Sequence, residues 1–213
     1  MYAEYQRLMA PWMNTGAPVP AEAEISRNHV FEAVDRKMAK AHARSQGNLA
    51  SELLGRIHAQ DPEFFEELVI DVMLAMGYGG RRRDLAKRLG RSGDGGIDGL
   101  ISMDELGLDL VYLQAKRLRP GTLVPVSEVR GFAGSLDAHH AVKGIFVATG
   151  HFSPAALSFC QQVSRRVVLV DGTKFTEMMI RYNVGVRVKQ SYQIKRIDPE
   201  YFRKQAHREQ VQR

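Results

Sequence analysis

Four side chains of the 213-residue chain have types and spacing that could hydrolyse a phosphodiester: Glu66, Asp98, Gln114 and Lys116. Asp98 follows a glycine-rich run, Gly93-Asp94-Gly95-Gly96, while Gln114 and Lys116 end the segment LDLVYLQAK at 108–116. Residues i and i+2 of a strand share a face, so Gln114 and Lys116 project together. The turn Asp104-Glu105-Leu106-Gly107 would join strands over 97–103 and 108–116 as a β-hairpin, with Asp98 as the second residue of the first strand. Asp98 then lies near Gln114 across the hairpin. A carboxylate, an amide oxygen and a lysine converge on one sheet face. A hard Mg²⁺ takes carboxylate and amide oxygens plus waters, which makes Asp98 and Gln114 the expected metal ligands. The ion can polarise a phosphoryl group and acidify water. A lysine beside it can orient or deprotonate that water and offset charge on the pentavalent phosphorus. A bare Asp…Gln-x-Lys pattern also fits ordinary strand-end residues. The glycine-rich approach, the shared strand face and nearby clusters of basic charge favour the chemical reading.

Positioning these groups requires a helix and a hairpin. Over 61–76, Asp61 suits an N-cap, Pro62 the first helical position and Gly77 the stop. Phe65, Leu68, Val69, Val72, Met73 and Met76 form one stripe, with Glu66 at its edge and Glu67 on the far side. Glu66 joins the other three if this helix packs alongside the hairpin. Downstream, a helix at 126–137 leads into a strand at 144–149. Ser153-Pro154 opens another helix, before a strand at 166–170. A helix at 173–182 precedes a last strand near 184–189. Upstream, residues 11–24 hold three prolines and read as a loop. Phe31, Val34, Met38 and Ala41 mark a helix, which Ser45, Gly47 and Asn48 should break. A second short helix carries Leu49, Leu53, Leu54 and Ile57. The expected class is α/β, a mixed central sheet flanked by helices with an N-terminal helical extension.

Composition excludes other classes. Hydrophobic residues at 44% and charged residues at 25% are ordinary for a soluble globular chain. No apolar run approaches a membrane span, and the single Cys160 allows no internal disulfide. A cytoplasmic location and no membrane partner are therefore expected. The net charge of +6 is concentrated: residues 187–213 hold eight bases and three acids, and residues 81–91 hold six bases and one acid. Clustered basic charge is the footprint of a polyanion partner. Arg81, Arg82, Arg83, Lys87, Arg88, Arg91 and Arg117 are the candidate phosphate contacts. There is no P-loop. GDGGIDG places Asp98 where a dinucleotide fingerprint needs glycine, Ser92 in GRSGD lacks the second glycine of a nucleophile elbow, and no His/Cys cluster has zinc spacing.

Five segments carry a resemblance. FFEELVIDVMLAMGYGG (64–80), GRSGDGGIDGLI (90–101), LDLVYLQAKR (108–117), VRGFAGSLDA (129–138) and KGIFVATGHFS (143–153) occur in this order. Together they resemble the catalytic domain of Mrr-type restriction endonucleases, of the PD-(D/E)xK nuclease superfamily, over about residues 60–186. The resemblance implies a restriction-endonuclease-like core and Mg²⁺-dependent cleavage of double-stranded DNA, with methylated DNA the usual target. It carries the glutamate of F-E-x-L-V onto Glu66, the aspartate of G-I-D-G onto Asp98, and Q-A-K onto Gln114 and Lys116. Residues 59–190 would form the nuclease domain and 191–213 a basic tail. Residues 1–58 would be a reduced extension of linker and helices, short of the winged-helix domain usual in the family. Since a duplex break needs two active sites or two nicks, a homodimer is expected. A junction-resolving nuclease and a non-catalytic DNA-binding module on the same fold are the alternatives.

Overall fold

The computed structural model describes residues 21–79, 86–88, 96–104, 106–195, 197–198 and 200–201, and of residues 21–31 and 86–88 only the backbone. Helix α1 (Ala21–His58) is followed by α2 (Pro62–Ala75) and the strands β1 (Ala86–Arg88), β2 (Gly99–Ser102) and β3 (Leu110–Lys116). Then come β4 (Leu123–Val124), α3 (Val126–Ala138), β5 (Lys143–Ala148), β6 (His151–Phe152), α4 (Pro154–Gln162), β7 (Arg166–Val170) and α5 (Gly172–Arg181). Five strands form one sheet in the order β1-β2-β3-β5-β7. The first three are antiparallel, and β3, β5 and β7 run parallel, so the sheet is mixed. A small parallel pair, β4 with β6, lies apart from it.

Helices cover both faces. On one side the end of α1, then α2 and α5, bury Leu53, Ile57, Phe65, Val69, Val72, Met73, Phe175 and Met179 against Ile101, Val111, Leu113, Val147 and Val170. Phe65 and Phe175 meet edge to face, with ring centroids 5.4 Å apart. On the other side α3 and α4 bury Val129, Phe132, Leu136 and Ala156 against Phe146 and Ala148. Alternation along β3 feeds both cores: Val111 and Leu113 face the α2 side, and Tyr112 packs towards α3.

Helix α2 forms as its sequence dictates. The Asp61 carboxylate accepts from Phe64 N at 2.6 Å, Pro62 opens the helix, and Gly77 takes a φ of +95° beyond its end. Ser153 likewise caps α4, accepting from Ala156 N at 3.2 Å.

Three expectations are corrected. Residues 45–48 do not break a helix: α1 runs unbroken for 38 residues, about 57 Å at 1.5 Å per residue. It also begins at Ala21, inside the stretch read as a loop. One glycine costs a helix about 1 kcal/mol, less than continuing helix gains from packing Leu53 and Ile57, and no proline lies between Ala21 and His58. Glu32–Arg36 and Glu52–Arg56 add i,i+4 pairs, with the acid on the favourable N-terminal side. Second, residues 184–189 form no strand. Val184 N donates to Met179 O at 2.9 Å, closing the end of α5, and Val184 and Val186 pack on the core without a ladder. Their alternation reports one-sided burial, which needs no neighbouring strand. Third, the hairpin strands are shorter than expected, and Asp98 stands just before β2 rather than inside it. The strand β1 is additional: the basic run 81–91 was legible as charge and not as structure.

Candidate active site

The sheet assembles the site at the end where β2 begins and β3 finishes. Gly99 pairs with Leu113, and Asp98 precedes it beside the end of β3. Asp98 N donates to Leu113 O at 2.9 Å, the carbonyl of the residue that pairs with Gly99, so the regular ladder ends here. Its carboxylate then takes the next donor on β3, with Oδ2 accepting from Ala115 N at 2.8 Å. Strand alternation puts Gln114 and Lys116 on the face opposite Leu113, the face that α3 covers. That end of the sheet also holds the C-terminal ends of the parallel strands β3, β5 and β7, the usual place for a site in an open α/β sheet.

Gln114 is buried, and its Oε1 is without a hydrogen-bond partner among the described residues. Burying an amide oxygen unpaired is costly, so one that is retained calls for an explanation, such as a bound ion. Gly96 makes room for this side chain. It has φ +86°, and a Cβ there would stand 2.6 Å from Gln114 Nε2. An orphaned carbonyl oxygen and a carboxylate at the same end of the sheet are donors of the kind a hard divalent cation takes. The residues present therefore fit such an ion. Among the described residues no three His, Cys, Asp or Glu side chains gather as a metal site, which leaves the mixed carboxylate–amide set as the candidate.

Lys116 Nζ forms an ion pair with Glu128 Oε2, both side chains being somewhat over a third exposed. Glu128 lies in the first turn of α3. Sequence reading missed it, because nothing in its spacing links it to Lys116; an acid in a first helical turn reads as compensation of the helix dipole. Thr149 was missed as well. Its N donates to Lys116 O at 3.1 Å, and its Oγ1 accepts from Leu118 N at 2.8 Å, fixing the backbone just beyond Lys116.

Glu66 arrives differently from the expectation. It is half-buried and Glu67 is exposed, as the helical stripe implied. However, α2 covers the face of β2 and β3 opposite Gln114 and Lys116. Ile70, one turn after Glu66, packs where a Cβ on Gly99 would be, at 3.5 Å. Gly79 N donates to Ser102 O, so α2 runs in the same direction as β2 and Glu66 lies towards the Asp98 end. The structure brings Asp98, Gln114 and Lys116 to one end of the sheet, with Gln114 and Lys116 on one face, and leaves Glu66 at the same end on the α2 side.

Of the expected phosphate contacts, Arg81, Arg82, Arg83 and Arg91 lie outside the described residues, as does most of the tail. Lys87 and Arg88 lie on β1, opposite Leu100 and Gly99. Arg117 is half-buried, and its Nη1 donates to the carbonyl of His58, the last residue of α1, at 3.1 Å. This guanidinium is held inside the fold, because the closing turn of α1 offers it an unpaired carbonyl.

Residues 57–179 match the Mrr catalytic domain, described as a restriction endonuclease. The chain is 39% identical over 186 residues to the type IV methyl-directed restriction enzyme EcoKMrr of Escherichia coli strain K12, covering 87% of this chain. It spans 58% of that relative's length. Similar solved structures include the DNA modification-dependent restriction endonuclease AspBHI, with TM-score 0.49 and 19% identity over 67% of this chain and 36% of that one. Another is the MspJI restriction endonuclease in complex with a 27-mer oligonucleotide, with TM-score 0.44 and 30% identity over 68% of this chain and 33% of that one. With the family's domain spanning more than half of the sequence, the chain belongs to the Mrr-type restriction endonucleases.

Proposed function

We propose that the protein is a Mg²⁺-dependent DNA endonuclease that cleaves double-stranded, methylated DNA as a homodimer. The observation that carries this reading is the buried, unpartnered Gln114 Oε1 at the sheet end that also holds Asp98 and Lys116. Asp98 and Gln114 would hold the ion. When bound, such an ion supplies Lewis-acid polarisation of the phosphoryl oxygen and acidifies water. Lys116 orients the attacking water through its Nζ and offsets charge at phosphorus. Glu66, on the neighbouring helix, holds water at the rim from the far side of β2. The basic segment 81–91 and the tail hold the phosphate backbone without reading bases. The directing role of methylation follows the Escherichia coli relative, a methyl-directed enzyme by name. Among the described residues no helix is long and apolar enough to cross a membrane, and a cytoplasmic enzyme meeting incoming DNA is the setting proposed.

The test is cleavage of methylated and unmethylated plasmid, each with and without Mg²⁺, with a four-way junction as a third substrate. Methylated plasmid cut only with Mg²⁺ is the expected result. Preferential cutting of the junction would favour a recombination nuclease, and no cutting of any substrate would leave a binding module.

A further inference from the structure

Lys116 has a four-carbon stem and a compact ammonium that no planar geometry orients. Something must aim it. Strand pairing fixes its backbone: Lys116 is in register with Ala148, and Thr149 N donates to Lys116 O. The side chain beyond is restrained by the Glu128 carboxylate.

Glu128 stands on an independently rigid frame. Val124 and Val129, on either side of it in sequence, are fully buried. The strand before α3 is clamped by β6, and Ser153 N donates to Val124 O at 3.0 Å. The approach of the two loops is so close that a Cβ on Gly150 would collide with Thr122 O. Neither partner needs the other to find its place. An ion pair this exposed adds little to stability. What the pair does fix is where Nζ points.

We infer that Glu128 is a positioning residue, whose carboxylate holds Lys116 Nζ at the sheet end that carries Asp98 and Gln114 before DNA arrives. This rests on the nuclease reading above. Glu128 touches no reacting atom, and its effect passes through Lys116 alone. Its loss therefore slows the chemical step without weakening the grip on DNA, because misplacement of a reacting group by about 1 Å costs up to about 10²-fold in rate.

The experiment compares the wild-type chain with Glu128→Gln, Glu128→Ala and the control Glu67→Ala, using cleavable plasmid with Mg²⁺. Single-turnover rate, DNA dissociation constant and the ¹⁵N ammonium signal of Lys116, identified by its loss in Lys116→Arg, are read for each. The inference expects Glu128→Gln to be slower by about 10-fold or more. Glu128→Ala should be slower still. Both should bind DNA within about twofold of wild type and show a broadened or shifted ammonium signal. An unchanged rate in Glu128→Gln while wild type cleaves overturns the inference alone. A faster rate also overturns it, since Glu128 would then be holding the lysine away. A wild-type chain that cuts no substrate overturns the nuclease reading and this inference with it.

Discussion

At the scale of single residues, Lys116 and Gln114 make separable claims. Lys116→Ala removes the cation at the end of β3 and should lower the single-turnover rate on the order of 10²–10³-fold, the usual cost of losing one preorganised stabilising group. Lys116→Arg should fail almost as badly, because the guanidinium is a wider fork that cannot give up its proton. Near-normal cleavage by either variant would remove Lys116 from the mechanism. Gly96→Ala tests the other half of the site. The new Cβ would meet Gln114 Nε2 at 2.6 Å, in a backbone conformation that costs a non-glycine residue about 1–3 kcal/mol. We expect reduced Mg²⁺ affinity, measured calorimetrically, from a chain that still folds. Unchanged affinity would mean that Gln114 does not hold the ion. That Gln114 and Lys116 share a face was legible in the sequence, because strand alternation fixes which neighbours do. Glu128 was not legible, since its link to Lys116 exists only through the packing of α3 over β3.

Among the elements, the hairpin that carries Asp98 and Lys116 depends on one carboxylate at its turn. Asp104 accepts from Asp109 N at 2.5 Å, Leu106 N at 2.8 Å and Leu108 N at 3.2 Å. The bond from Asp109 N–H is foremost in holding the Asp104 carboxyl below its ordinary pKa. A depressed carboxyl stabilises the fold above its unfolded-state pKa, and the effect is lost as pH falls through the folded value. The wild-type chain should therefore melt higher than Asp104→Ala at neutral pH, and the gap should close as the pH is lowered below about 3.8, the ordinary aspartate value. A gap that persists in acid would assign the turn's stability to something other than this charge. The elements also show where sequence patterns stop. Helix α2 was readable to within a residue, because cap, proline and stop are local signals. The continuity of α1 through Gly47 and the missing ladder after α5 were not, because each depends on distant partners: the core under Leu53 and Ile57, and a strand edge that residues 184–189 do not reach.

For the whole molecule, the proposed function requires a reaction centre at one sheet end to work together with basic segments that would hold the DNA. Arg81, Arg82 and Arg83 precede β1, which the sheet places two strands from β3. Replacing all three with Gln should weaken binding for every sequence alike and flatten the slope of log affinity against log salt by about 0.9 for each phosphate left unneutralised. An unchanged slope would make the run a solvated surface. The most direct test of the central claim is plasmid cleavage by wild type and Asp98→Ala with Mg²⁺, with DNA binding measured on the same samples. Asp98→Ala should bind DNA as wild type does and leave the plasmid intact. Cleavage by Asp98→Ala at the wild-type rate would contradict the account.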